Sequence, residues 1–305
     1  MTPLEQRRFL FITGKGGVGK TTVTAALAAR FADAGLRVLI TVCDAKERIS
    51  TLFGAAPMTP EVVPLRSGVW GVKLTPEVAL REYGSMILKS PKVYDAVFDN
   101  SYVRSFFAGV PGLFEWAMLG KAWYHAIETL PDGKQRFDVV LFDAPATGHG
   151  LDMLRVPKII VEVVPPGVLR RDAEKAWKMF QDEKQTGVVV VTLPEEMPTN
   201  EALELVEAID VELELPLARL VINAVTPDLF DEAERTELLA ERPLDKAMPG
   251  TAALACGVRR AIRERVQNQA LERLRAVAHA RVELPWLPGD ATTPEAVRQL
   301  SRLIK

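Results

Sequence analysis

The chain has 305 residues, 48% apolar and 26% charged, which supports a sizeable core and argues against wholesale disorder. Its net charge of −2 argues against a nucleic-acid partner, which would call for a strongly basic surface. Two cysteines, Cys43 and Cys256, form no CxxC pair, so a disulfide framework and a zinc or iron–sulfur site within one chain are not indicated. Both read as small buried residues in a reducing cytoplasm. The opening MTPLEQRRFLFITGK has no signal-peptide pattern, and no uncharged apolar run approaches the ~20 residues that span a membrane. No transmembrane segment and a cytoplasmic location are therefore expected.

Along the chain, short apolar runs alternate with helical patterns. RFLFIT (8–13) reads as a strand, followed by a glycine-rich loop and a helix over Lys20–Asp33 that Gly35 stops. RVLITVC (37–43) is the next strand. From 76 to 136 no strand is evident; helical patterns rich in Phe, Trp, Met and Leu are broken by Pro91 and by Pro111-Gly112. DVVLFD (138–143), KIIVEVV (158–164), GVVVVTL (187–193) and ARLVINAV (218–225) read as further strands, with helices over 169–184 and 200–209 between them. Residues 227–280 read helical again, with an arginine stripe at Arg259, Arg260, Arg263, Arg265, Arg273 and Arg275. Strands apolar nearly throughout suit a parallel sheet covered on both faces. The expectation is α/β: a doubly wound, mostly parallel sheet in one domain over 1–305, with a helical insertion at about 76–136 and a further helical segment at about 227–280.

Gly14-Lys15-Gly16-Gly17-Val18-Gly19-Lys20-Thr21 matches G-x-x-x-x-G-K-[ST] between a strand and a helix, the context a phosphate loop requires. Glycines let successive N–H groups face an anion, and the helix N-terminus adds partial positive charge. The loop predicts a nucleotide cradle from Gly16, Gly17, Val18, Gly19, Lys20, Thr21 and Thr22. Lys20 would reach the β- and γ-phosphates, the Thr21 hydroxyl would hold Mg²⁺, and Thr22 would meet the α-phosphate. Asp143, acidic and at the end of a parallel strand, is the second candidate Mg²⁺ ligand. ATP and Mg²⁺ are thus the expected substrate and cofactor.

Lys15 is not required by the ordinary loop. With it, the stretch resembles the deviant Walker signature K-G-G-x-G-K-[ST] of partition ATPases of the ParA and MinD type, nitrogenase iron protein, and the arsenite-pump ATPase (ArsA) with its tail-anchored-protein-targeting relatives. The resemblance implies that Lys15 acts in trans across a homodimer, neutralising charge on the transferred phosphoryl group. Ala144-Pro145-Ala146-Thr147-Gly148-His149 resembles the D-T-A-P-T-G-H stretch of the ArsA branch, which implies that Thr147 and Gly148 sense the γ-phosphate; His149 is either a relay or a structural residue. CDAKERIS (43–50) resembles that branch's D-P-A-H-x-x-S. It keeps Asp44 and Ser50 but carries Ala45 and Glu47, and it makes Asp44 the candidate for orienting the attacking water. LVINAVTP (220–227) resembles the segment whose asparagine, here Asn223, reads adenine. LPWLPGDATTPEAVRQL (284–300) resembles the branch's base-pocket segment, with Gly289-Asp290 near the expected glutamate, and the resemblance implies Pro285 and Leu287 there. VPGLFEWAML (110–119) resembles a P-G-x-x-E element, with Glu115 as a link between insertion and switches.

The arsenite-pump ATPase carries two phosphate loops and several cysteine thiolates; with one loop and no thiolate set here, the resemblance implies a homodimeric ATPase that handles a protein client or membrane-protein partner. The apolar residues between Phe98 and Leu119 either line a client groove or pack a core. Alternatives are a partition or positioning ATPase, for which the arginine stripe would serve DNA, and a metalloid efflux-pump ATPase subunit. A cluster-carrying redox protein and a non-hydrolysing binding module complete the set.

Overall fold

The computed structural model describes residues 2–43, 47–87, 92, 112–145, 149–240, 251–277 and 280–304. A sheet of eight strands runs β3-β4-β2-β5-β1-β6-β7-β8. The strands are β1 (Phe9–Thr13), β2 (Val38–Val42), β3 (Val63–Arg66), β4 (Val69–Lys73), β5 (Val139–Asp143), β6 (Thr186–Thr192), β7 (Leu217–Val225) and β8 (Arg281–Pro285). Among the strands of this sheet, β3 pairs antiparallel with β4 and the other neighbours pair parallel. The strands β1, β2, β5 and β6 are buried from end to end, as their unbroken apolar runs require.

Helices cover both faces. On one lie α1 (Lys20–Asp33), α2 (Ile49–Phe53) and α10 (Pro294–Leu303), joined to the sheet by Leu27, Phe31, Ile49 and Leu300. On the other lie α3 (Pro76–Ile87), α4 (Leu113–Ile127), α5 (His149–Val163), α6 (Val168–Gln181) and α7 (Glu196–Glu207), built around Phe9, Phe11, Phe142, Trp116 and Phe180. Leu271 and Leu274 of α9 (Thr251–Arg275) join the same cluster, and α8 (Glu232–Ala240) packs against α9. The chain runs outward from β1 to β2 and β4, returns at β5, and continues on the other side of β1 at β6. The order therefore reverses at β1, and open α/β sheets bind ligands beyond the strand ends at such a point.

Two expectations need correction, and three strands were not anticipated. Residues 158–164 are not a strand but part of α5 and its end. Met153, Leu154, Val156 and Ile160 are buried while Ile159 and Val163 are exposed, a helical stripe that outweighs the β-branched composition. The pair β3 and β4 precedes the helical region, and β8 interrupts the stretch after α9. Cys256 is exposed rather than buried, whereas Cys43 is half-buried and burial pushes its thiol well up. Of the apolar stretch 98–119, Leu113 and Trp116–Leu119 face the core; residues 98–111 lie outside the described residues. Among the described residues, no helix is long and apolar enough to cross a membrane.

Candidate functional site

The phosphate loop fills the turn between β1 and α1, and its glycines are sterically obligatory at two points. Gly14 has φ +142°, and a Cβ there would run into the Val191 carbonyl of β6. Gly19 has φ +95° and caps α1; a Cβ there would strike the Asn223 amide. No side chain caps α1, and its first turn carries no acidic residue. Its leading N–H groups are thus left for an anion, with the helix dipole in support.

Lys20 folds back over this loop. Its Nζ donates to the carbonyls of Gly14 and Lys15, both at 3.0 Å, and the residue is 8% exposed. Thr21 Oγ1 donates to Asp143 Oδ2 at 2.9 Å, and Thr24 Oγ1 donates to Asp143 Oδ1 at 3.3 Å. Cis ligands of an octahedral ion with bonds of ~2.1 Å lie ~3 Å apart, so the Thr21 and Asp143 oxygens fit neighbouring corners around Mg²⁺. Both are hard oxygen donors, as that ion requires. Among the described residues no cluster of three or more His, Cys, Asp or Glu offers an all-protein cage. Mg²⁺ bound beside phosphates commonly needs only one or two protein ligands.

Asn223 approaches from β7. The register of β7 against β8 slips between Ile222 and Val225, and Ala224 takes φ +56°, a conformation that is uncommon for a residue with a Cβ. The bulge sends the Asn223 amide toward the loop, where Nδ2 donates to the Val18 carbonyl at 2.9 Å. Past this point a cavity of about 870 Å³ is lined by Gly17, Val18, Gly19, Lys20, Thr21, Thr22, Asp143, Asn223, Pro285 and Leu287. Its volume suits a nucleotide. Gly16 sits on the exposed outer part of the loop.

Two sequence-identified residues behave differently. Lys15 does not line the cavity; its Nζ forms an ion pair with Glu201 of α7. Glu47, which departs from the resembled pattern, is structurally employed: its carboxylate accepts from Ser50 N at 2.7 Å and Ser50 Oγ at 2.8 Å. That satisfies an orphan N–H at the start of α2. Asp44, Thr147 and Gly148 lie outside the described residues. Sequence reasoning missed Thr24, Arg48, Thr51 and Trp286, which bond Asp143 or line the cavity, and Glu201. A threonine one helical turn beyond Lys20 was the one available signal.

On the arginine stripe, Arg260 pairs with Glu264 at 2.7 Å and Arg275 with Glu283 at 2.8 Å. Arg259 donates to Cys256 Sγ at 3.2 Å. Part of the stripe is thus committed within the chain.

The sequence model of the ArsA ATPase family, described as anion-transporting ATPase, matches residues 7–165, just over half of the chain. ATPase BagA of Mycobacterium tuberculosis is 26% identical over 257 residues, 83% of this chain and 75% of the relative. Arsenical pump-driving ATPases of Acidiphilium multivorum and Escherichia coli are 29% and 28% identical over 76% and 72% of this chain. The chain spans only 41% and 40% of their lengths.

Proposed function

The chain belongs to the ArsA ATPase family, and from that premise we propose that this ATP hydrolase is Mg²⁺-dependent and works as a nucleotide-switched homodimer. In this reading it couples hydrolysis, in the cytoplasm, to handling a protein client or membrane-protein partner. One observation carries the proposal: the loop's second lysine lines its own cavity, while the first, Lys15, does not. An ammonium on the phosphate loop that points away from its own nucleotide site can reach another copy's once it parts from Glu201.

The N–H groups of residues 16–22 bind the phosphates, and Asn223 and the Pro285–Leu287 segment receive the base. Thr21 and Asp143 would hold Mg²⁺, which lends charge neutralisation to the β- and γ-phosphates. Asp44 orients water for in-line attack on the γ-phosphorus. The new P–O bond forms as the bond to the bridging oxygen breaks, giving ADP and inorganic phosphate. Lys20 in cis and Lys15 in trans stabilise the negative charge of the transition state. Loss of phosphate releases Thr147 and Gly148 and opens the dimer.

A client reading is preferred to metalloid transport on the thiols. Arsenite binding calls for several soft sulfur ligands converging on one point. Here one half-buried thiol follows β2 and one exposed thiol sits on α9. Stimulation of ATPase by arsenite, lost on replacing Cys43 or Cys256, would reverse this preference.

The experiment is Lys15→Ala. Nucleotide binding should persist within a few-fold while hydrolysis drops by about 10²–10³, the usual loss for one charge-stabilising donor. Undiminished turnover, or a monomer in ultracentrifugation that hydrolyses at full rate, overturns the trans-acting lysine.

A further inference from the structure

The ion pair between Lys15 and Glu201 joins residues 186 apart in sequence and serves no evident packing purpose. Each side chain is 32% exposed. The Lys15 carbonyl accepts from Lys20 Nζ at 3.0 Å, so its backbone belongs to the phosphate loop while its side chain turns out toward α7. The receiving element is rigid. Thr192 Oγ1 of β6 donates to the Pro198 carbonyl at 2.9 Å, and Pro198, Thr199 and Ala202 are buried. Glu201 is therefore presented from a fixed platform beside a loop whose geometry is equally fixed.

The surroundings single this pair out. Between Lys184 and Arg219 the sequence has eight acidic residues and no Lys or Arg. Among the described residues, Glu201 is the one α7 carboxylate in an ion pair, and its cation comes from the nucleotide-binding loop.

We infer that Glu201 is the positioning residue for Lys15: it holds the loop's first ammonium in cis until a second copy of the chain brings its bound triphosphate within reach. The inference rests on the homodimer reading above, because an ammonium engaged with Glu201 cannot at the same time neutralise a partner's phosphate. The restraint is shallow. Pairs this exposed are worth at most about fivefold in an equilibrium, while a triphosphate offers several negative charges against one. Glu201 therefore does not block the closed dimer. It sets the protein concentration at which closing begins, and it gives Lys15 a resting place when the dimer opens.

The test compares wild type, Glu201→Gln, Glu201→Asp, Lys15→Ala and the double variant Lys15→Ala/Glu201→Gln. Specific ATPase activity is measured against protein concentration, and sedimentation is measured with and without Mg-ATP. A closed dimer frees two such pairs, so Glu201→Gln should move the midpoint of ATP-dependent association, and of the activity rise, to as much as about 25-fold lower protein concentration. Glu201→Asp should restore the wild-type midpoint. With Lys15 already replaced, Glu201→Gln should leave sedimentation where it was. An unmoved midpoint in Glu201→Gln, or an equal shift with Lys15 absent, overturns the assignment of Glu201 and leaves the homodimer standing. Wild-type activity independent of protein concentration, with no ATP-dependent association, overturns the homodimer and the role of Glu201 together.

Discussion

The phosphate loop and the Glu264 node of α9 both bury a charge against backbone, and they do so to opposite ends. Lys20 is 8% exposed, and two of its partners are carbonyls of its own loop at 3.0 Å. Glu264 is fully buried and collects donors from several segments. The N–H of Leu229 lies at 2.7 Å, Arg260 Nε at 2.7 Å, Arg235 Nη1 at 3.2 Å and the N–H of Phe230 at 3.4 Å. Burial alone would raise the Glu264 carboxyl, but the Leu229 N–H, the Arg260 guanidinium and the Phe230 N–H together hold it below its ordinary value. At Lys20 a cation reaches the carbonyls of its own loop beside an open cavity. At Glu264 an anion is closed off by two cations and two amides, and nothing is left for a ligand. A buried charge that faces a cavity marks function; one saturated by opposite charge from within the chain and closed off marks structure.

The largest effect that would sharpen this contrast is on turnover. Lys20→Ala should lower ATP hydrolysis by about 10²–10³-fold, the scale of losing a preorganised charge donor. The nucleotide-free melting temperature should stay within a few degrees of wild type, since the loop carbonyls retain access to solvent through the cavity. A strong loss of stability, with activity preserved in the surviving fold, would break the distinction.

Next comes Glu264→Ala, which should cost about 3–5 kcal/mol of stability by stranding Arg260 and the Leu229 and Phe230 N–H groups, while Arg235 keeps Glu232 and Asp228. KM for ATP should change by no more than about twofold. Denaturant unfolding measures the first quantity and steady-state kinetics the second. The acid response follows the same logic. The folded carboxyl titrates below its ordinary value of 4.5, so the unfolded chain binds the proton first as pH falls. The contribution of Glu264 is full above that value and is lost as pH drops through the lower folded one. Glu264→Ala should flatten this part of the stability profile.

The contrast also explains what could be read from the sequence. The loop and α1 were legible because their rules are local: a strand, glycines at fixed offsets and a helix over Lys20–Asp33 lie within 25 consecutive residues (9–33). The sheet centre was legible because β1, β2, β5 and β6 are covered on both faces and so are apolar throughout. The strand β3 was hidden because it is a short edge strand carrying Pro64, and β8 because it is the other edge strand and only partly buried. Residues 158–164 misled because Ile and Val favour strands locally, while burial of Ile160 but not Ile159 is set by the sheet face that α5 covers. Glu264 and Glu201 could not be read at all. Their roles depend on partners 29 to 35 and 186 residues away, and one glutamate on a charged helix looks like another.

Asn223 tests the contrast at its smallest scale, because it belongs in part to both kinds of place. Its amide donates to the Val18 carbonyl within the chain, yet it also lines the nucleotide cavity. If the bond to Val18 is its whole contribution, Asn223→Ala should remove about 1 kcal/mol of stability and leave the preference for ATP over GTP unchanged. If the amide also meets the base, the same substitution should raise KM for ATP several-fold and narrow the gap between the two nucleotides, because their hydrogen-bonding edges differ at the positions an amide reads. The second outcome is the one expected. The β7 bulge and the positive φ of Ala224 place this side chain at the cavity wall, a local backbone cost that anchoring one loop carbonyl does not by itself require. Measuring kcat and KM for both nucleotides alongside the melting temperature separates the two contributions in one variant.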